Sequence, residues 1–317
     1  MNSRQTITAF APATVANVGC GFDVFGFAVD APGDTVKVRF SDNPGVSIAK
    51  ITGDNGALPK DASKNTAGVS VQMFLNHLGK SNIGIEIELE KNMPLGSGMG
   101  SSAASSVASV VATNELFGSP LKREELLPFV IEGERVACGS GHADNVAPAL
   151  LGGFVLIRSY EPLDCIKIPV PEGLYCVLVH PDVIVETAYA RSILPKEIPL
   201  KKAISQWGNT AGVIAALMQG DLKLLGRSLE DYIVEPVRSA LIPGFIEVKK
   251  AATAAGAIGC SISGSGPSMF ALCDSKEIAE KVSLAMQETF SQAQVKSEAF
   301  VSAVNQRGAY IIESLGN

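Results

Sequence analysis

Between an alternating apolar run and a long stretch of small helix formers, the chain reads Pro94-Leu95-Gly96-Ser97-Gly98-Met99-Gly100-Ser101-Ser102-Ala103-Ala104. Three alternating glycines tolerate backbone torsions closed to residues with a Cβ, so a sharp loop is required here. The run before it, Ile83 to Glu90, alternates apolar and acidic residues as a half-buried strand does. After it, Ser101 to Phe117 is rich in alanine and serine, lacks proline and is followed by Gly118, which predicts a helix. Strand, glycine loop and helix N-terminus in that order leave backbone N–H groups converging at the positive end of a helix dipole, an anion cradle. The plainer alternative is a flexible turn with a serine cap. Neither the Gly-Lys-Ser/Thr phosphate loop nor the dinucleotide-binding glycine spacing is present, so the loop reads as a nucleotide cradle of another kind.

With 317 residues, 46% of them hydrophobic, the chain can bury the core of two domains. Its apolar runs, such as Phe154 to Ile157, fall far short of the roughly 20 residues of a membrane helix. The start, MNSRQTITAF, lacks a signal or transit pattern, so a cytoplasmic protein without a membrane partner is expected. Six cysteines without a CxxC pair and three dispersed histidines argue against a zinc site or a disulfide framework. A net charge of −6 with no Lys/Arg block argues against nucleic acid, so a bound anion must be held by local geometry.

The patterning predicts strands at Thr35 to Phe40, Gly152 to Arg158 and Tyr175 to Val179, and near 259–262 and 268–273. Helices are predicted over 65–78, 101–117, 122–138, 199–234, 244–255 and 275–291. This irregular succession, without an internal repeat, predicts an α+β fold rather than a doubly wound sheet. A charged, proline-containing patch at 159–164 sets the expected boundary between a domain of residues 1–158 and one of residues 159–317.

Two further stretches accompany the loop: PATVANVGCGFD at Pro12 to Asp23 and GCSISGSGPSMF at Gly259 to Phe270. Together the three motifs resemble those of the GHMP kinases. The first motif, Gly141 to Ala149 and Arg238 to Phe245 most resemble the homoserine kinase family within that superfamily, and the resemblance runs the whole length. It implies an ATP-binding N-terminal domain of the ribosomal-S5 type and a ferredoxin-like C-terminal domain, commonly in a homodimer. It also implies Mg²⁺-assisted transfer of the ATP γ-phosphoryl group to the side-chain hydroxyl of L-homoserine, a step toward threonine.

Leu127, Ile131, Glu134 and Cys138 recur at helical spacing, placing Glu134 on an otherwise apolar stripe. A carboxylate there is costly unless a cation meets it. Mg²⁺ shared with phosphates would do so, and the resemblance makes Glu134 its ligand together with Ser102; a basic partner or a place at the stripe's edge is the alternative. A small amino acid needs arginines for its carboxylate and acidic or amide groups for its ammonium. By resemblance Arg191 and Arg238 bind the carboxylate, and Asn17, Asp23, His142 and Asp144 complete the pocket, although either arginine alone could be a surface ion pair. Thr187, a further catalytic candidate, shares a helical face with Arg191 if that stretch is helical.

Asn145 matches the family position near the reacting hydroxyl. Asparagine cannot accept a proton, so either it only orients the hydroxyl or Asp144 beside it acts as base, and both readings stand. Residues Pro94 to Ala104 bind ATP by resemblance, with Asn65 and Thr66 at the adenine end. Gly264 and Gly266 support the site wall; the alternative is a simple β-turn. Competing functions are a mevalonate-type kinase on the same scaffold and a non-catalytic nucleotide sensor. Asn17, Asp23 and Asp144 suit an ammonium that mevalonate lacks, and the intact loop, Glu134 and arginines argue against the sensor.

Overall fold

The structure, a computed structural model, describes residues 5–315 apart from the side chains of Ala137, Cys138 and Leu315; the expected place of Cys138 on the apolar stripe lies outside the described residues. The chain opens with β1 (Thr6–Ala16) and the long β2 (Phe25–Ser41), then β3 (Gly45–Thr52), α1 (Thr66–His77) and β4 (Gly84–Glu90). Three helices follow, α2 (Ser101–Leu116), α3 (Leu127–Cys138) and α4 (Ala143–Leu151), before the hairpin of β5 (Phe154–Tyr160) and β6 (Leu163–Ile168). Next come β7 (Tyr175–Pro181), α5 (Thr187–Ser192), α6 (Leu200–Gln219), α7 (Leu222–Ser228), α8 (Glu235–Arg238) and α9 (Phe245–Ala254). The last elements are β8 (Gly259–Ile262), β9 (Met269–Cys273), α10 (Lys276–Gln292), β10 (Ser297–Ala303) and β11 (Tyr310–Leu315).

The helical stretch expected across 199–234 divides into α6 and α7, and a non-helical segment follows Leu229. Gly220 ends α6 in a left-handed conformation (φ 68°), and the Asp221 carboxylate accepts from Leu224 N to start α7. The helix expected over 122–138, with an interruption near its start at Pro128, is a short 3₁₀ turn over residues 123–126 followed by α3 from Leu127, which holds Pro128 in its first turn.

One sheet runs β11-β1-β2-β4-β3, with β5 paired to the start of β2 and β6 to β5. The other runs β10-β7-β9-β8, every pair antiparallel. The boundary expected at 158 therefore falls inside the β5–β6 hairpin, which pairs Phe154 with Ile168, while β11 returns from the far end of the chain to pair with β1. The polar patch marks a hairpin turn, not the edge of a core. We place the change of sheet between Ile168 and Tyr175, with 310–315 belonging to the first sheet.

Nearly every residue of α2 is buried, which its small side chains permit, letting α1 and α3 close around it. Its buried hydroxyls are satisfied locally: Ser106 Oγ donates to Val130 O (3.1 Å), Ser109 Oγ to Ser106 O (2.8 Å) and Thr113 Oγ1 to Ser109 O (2.7 Å). A second core forms where Val177, Val179 and Met269 meet Val248 of α9 and Val282 and Phe290 of α10. The two sheets are tied by a β-bridge from Val29 to Val304 and by Phe27 edge-on to Phe270 at 6.1 Å.

The first turn of α4 lies so close to β2 that a Cβ on Gly26 would stand 1.7 Å from the Asp144 carbonyl oxygen. Gly26→Ala is expected to lower stability by about 1–3 kcal/mol through overpacking. Gly208→Ala, helical and with nothing within 4 Å of the added methyl, should instead leave stability unchanged or raise it by up to about 1 kcal/mol. Thermal unfolding followed by circular dichroism separates the two outcomes.

Candidate active site

Gly96, Gly98 and Gly100 hold φ of 64°, 78° and 72°, where a Cβ is strained. Gly100 is the N-cap of α2 and no side chain caps that helix, so the expected alternative of a serine cap does not form. The uncapped first turn borders a cavity of about 440 Å³. Beneath it, Ser101 Oγ donates to Asp34 Oδ2 (2.9 Å), and the buried Lys91 ammonium bonds to Asp34, to Ser101 O (2.7 Å) and to Ser105 Oγ (2.6 Å). Both of the loop's paired serines line the cavity together with Glu134, and Ser101 is in addition bound to Asp34.

The loop after β1 brings Asn17 and Asp23 to the same cavity. Asn17 Nδ2 donates to Gly264 O (2.7 Å), and Asn17 Oδ1 accepts from Asp23 N (3.0 Å). Arg191 meets Asp23 in a bidentate pair at 2.8 and 3.0 Å. The stretch holding Arg191 is helical, so Thr187 and Arg191 share a face, with Thr187 Oγ1 at 3.1 Å from Ser265 Oγ. Arg238 is buried, donating through Nε to Ala190 O and through NH1 to Gly264 O, both at 3.1 Å. Both guanidinium groups face the Phe22 ring, at 5.2 and 5.1 Å from its centroid. Burial, then the charge of Arg191, brings Arg238 down to about 10, so an anion shared by the two arginines would relieve a real repulsion.

The start of α4 supplies His142, Asp144 and Asn145. Asn145 Oδ1 accepts from Thr14 Oγ1 (2.8 Å), which leaves the amide N–H groups as the functional end. Asp144 is buried, and desolvation, followed by the charge of Asp23, raises its carboxyl from 3.8 to about 7. His142 Nδ1 lies 3.7 Å from Glu134 Oε2, and that carboxylate raises its pKa. Among the described residues, three buried side-chain oxygens have no hydrogen-bond partner: Ser97 Oγ, Glu134 Oε1 and Asp144 Oδ1. All three residues line this cavity. Such atoms typically cost about 1–3 kcal/mol each, a cost a polar ligand removes.

Among the described residues no group of three or more His, Cys, Asp or Glu side chains could hold a metal by itself. The unpartnered Glu134 oxygen, with Ser102 on the same wall, fits a cation that takes its remaining ligands from phosphates and water.

Several sequence candidates stand elsewhere. Met99, Ala103 and Ala104 are wholly buried in the core, and neither they nor Pro94 line the cavity. Met99 contributes its carbonyl, which accepts from Thr14 N (3.0 Å). Asn65 lines the wall, but its amide caps α1 through Ala67 N (3.1 Å) and donates to Pro59 O (2.9 Å). Thr66 lines it too, its Oγ1 donating to Ser102 O at 3.4 Å. Gly264 reaches the cavity whereas Gly266 acts on the loop: a Cβ on Gly98 would stand 2.4 Å from Ser263 O and 2.9 Å from Gly266 O. With Ser263 Oγ donating to Gly98 O (2.7 Å) and Ser268 N to Ser97 O (3.2 Å), the third motif clasps the glycine loop. Sequence reasoning missed Lys91 and Phe22. A lysine ending an acidic alternating strand reads as solvated, but an aromatic inside the GCGFD segment was a usable signal.

The chain matches the model for the GHMP kinases N terminal domain over residues 65–153 and that for GHMP kinases C terminal over residues 213–292. The homoserine kinase of Chlorobium phaeobacteroides (strain BS1) is 55% identical over 97% of this chain and 100% of its own length. That of Arabidopsis thaliana is 44% identical over 98% of this chain and 85% of the relative. The crystal structure of homoserine kinase from Cytophaga hutchinsonii superposes with a TM-score of 0.95 at 60% identity, covering 97% of each chain. Mevalonate kinase from L. major, solved with R-mevalonate, shares the fold at a TM-score of 0.72 and 18% identity over 93% of this chain and 95% of its own.

Because the folded protein holds the Asp144 proton up to about 7 and the unfolded chain releases it near 3.8, this carboxyl makes stability fall as pH rises between those values and level off above. Asp144→Asn removes the slope. The ligand-free variant should gain on the wild type with pH, reaching on the order of 1–4 kcal/mol by pH 8. Urea unfolding at pH 5 and pH 8 measures this, and an equal gap at both would rule out the titration.

Proposed function

From the membership of this chain in the homoserine kinases of the GHMP kinase superfamily, we infer that it transfers the γ-phosphoryl group of ATP to the side-chain hydroxyl of L-homoserine, forming O-phospho-L-homoserine on the route to threonine. The observation that carries this reading is the meeting, in one cavity, of an uncapped glycine-bordered helix N-terminus with a pocket of two arginines and two carboxylates.

The first-turn N–H groups of α2 and the loop backbone bind the phosphates, and Leu58, Pro59 and Leu95 supply apolar wall for the base. Glu134 and Ser102 would hold Mg²⁺, which when bound would supply neutralisation of phosphate charge. Arg191 and Arg238 take the homoserine carboxylate; Asp23, Asn17 and Asp144 take its ammonium, with His142 beside them. Asn145, fixed by Thr14, donates to the substrate hydroxyl oxygen and orients it, and Thr187 completes the wall where the phosphoryl group moves. An amide that presents N–H groups accepts no proton, so catalysis rests on alignment and charge neutralisation, which a loose transition state permits. Asp144 serves as an ammonium partner and not as the base.

We also propose a homodimer, which the exposed stripe Leu200, Ile204, Trp207 and Met218 along α6 supports. Among the described residues no helix is long and apolar enough to cross a membrane, and water-soluble substrates favour a cytoplasmic enzyme.

A coupled ADP-release assay with Mg²⁺ should show turnover with L-homoserine and far less with D-homoserine, L-serine or mevalonate; turnover with mevalonate alone would replace the substrate. Glu134→Gln should lower kcat by about 100-fold or more, since several kcal/mol of charge stabilisation is at stake. Asp144→Ala should act mainly on the homoserine KM, whereas loss confined to kcat would make Asp144 the base.

A further inference from the structure

We propose that Gln206, on the buried face of α6, is a positioning residue that holds the two halves of the homoserine site in register; this rests on the substrate assignment above. Gln206 is 7% exposed and does not line the cavity. Its amide is fully engaged. Nε2 donates to Cys20 O (2.9 Å) and to Asp231 Oδ1 (2.8 Å), and Oε1 accepts from Tyr232 N (3.0 Å). Each arm of this relay leads to a substrate-binding group.

Cys20 lies in the loop that carries Asn17 and Asp23. Asn17, Val18, Gly19 and Asp23 all have positive φ, at 70°, 45°, 64° and 59°. For β-branched Val18 this is an outlier, and such strain persists only where the surroundings over-determine the backbone. Part of that determination is steric: a Cβ on Gly19 would stand 2.1 Å from Leu229 O. The polar part is the Cys20 carbonyl, bound by Gln206 and, at 3.4 Å, by Thr210 Oγ1. Released from α6, the loop would relax toward ordinary torsions and carry Asn17 and Asp23 away from Gly264 and Arg191.

Asp231 leads to Arg238. Its Oδ1 also accepts from Ile233 N (2.9 Å) and Val234 N (3.1 Å), and its Oδ2 from Glu235 N (2.8 Å), the first residue of α8. Arg238 ends that turn. The two arms meet again at the Gly264 carbonyl, which accepts from both Asn17 and Arg238. One neutral amide therefore sets the span between Asp23, for the ammonium, and Arg238, for the carboxylate. The place calls for a neutral amide: the group must donate to a carbonyl and a carboxylate while accepting from an N–H, which neither a leucine nor a glutamate of similar length can do.

Steady-state kinetics on the full-length protein test this, varying homoserine at saturating ATP and the reverse. Gln206→Leu should raise the homoserine KM by about tenfold, with the ATP KM and kcat within about twofold of wild type. Gln206→Asn, too short to reach both partners, should do the same and carries the test if the leucine variant fails to fold. Combined with Asp231→Asn, the KM effects should fall short of multiplying, as expected for members of one relay. An unchanged homoserine KM, or equal rises in both KM values alongside a lower melting temperature, would overturn the proposal and leave Gln206 a structural residue. If the wild type itself does not turn over L-homoserine, the substrate reading fails; if it does and the variants match it, only this proposal fails.

Discussion

A buried ion pair fixes the frame on which the site is built. Lys91 and Asp34, both 1% exposed at the side chain, join β2 to the end of β4 and to the first turn of α2. Removing two charges from water costs several kcal/mol per ion, and the mutual attraction offsets this only when the remaining valences are satisfied. Here they are: Asp34 also accepts from Asn92 N (2.8 Å) and Ser101 Oγ (2.9 Å), and Lys91 also donates to Ser101 O and Ser105 Oγ. The consequence is geometric more than energetic. Asn92 and Ser101, at either end of the glycine loop, are bound to the same carboxylate, so the loop is a closed ring whose left-handed torsions have nowhere to relax. Desolvation pulls the Lys91 ammonium below its usual range against the pull of Asp34, and this charge lies on the cavity wall beneath the first turn of α2, where the proposed function places the phosphates.

The second constraint comes from the other sheet. The turn between β8 and β9 grips the glycine loop at Gly98 and Ser97 and, through the Gly264 carbonyl, holds Asn17 and Arg238. A single turn therefore touches the glycine loop and the Asn17–Arg238 side of the cavity together, the two halves to which the proposed function assigns nucleotide and amino acid. Any shift of one sheet against the other would alter both at once, which is how two substrates can be brought to a fixed separation by a fold with its core split in two.

What the sequence disclosed follows from the range of the rules involved. The glycine loop, the helix behind it and the buried place of Glu134 were legible because torsional freedom and 3.6-residue periodicity act within a few residues. The Asp34–Lys91 pair was not, since its members lie 57 residues apart and each looks like an ordinary surface charge. Gln206 was invisible for the same reason: its partners, Cys20 and Asp231, come from distant stretches. The pairing of β6 with β5 and of β11 with β1 was not legible either, because pairing choice is non-local and a polar turn looks like a linker. Asn145 and the two arginines were reached through motif resemblance alone, as nothing in composition or spacing distinguishes them from solvated side chains.

The electrostatics of the pocket argue for a zwitterion over a simple hydroxy acid of the same size. Arg191 is paired in bidentate fashion with Asp23, Arg238 is only hydrogen-bonded to carbonyls, and Asp144 is buried with one oxygen unpartnered. An α-amino acid delivers a carboxylate to the arginines and an ammonium to the carboxylates, so every buried charge gains a partner and the ammonium draws Asp144 to its ionised form. A hydroxy acid without an amine would meet Arg238 but bring no ammonium to Asp144, leaving its unpartnered oxygen without a donor and only the more distant charges of His142 and Arg191 to favour its ionised form. Discrimination then comes less from shape than from the cost of leaving a buried polar group unsatisfied, which is how a small pocket separates ligands that differ by one charged group.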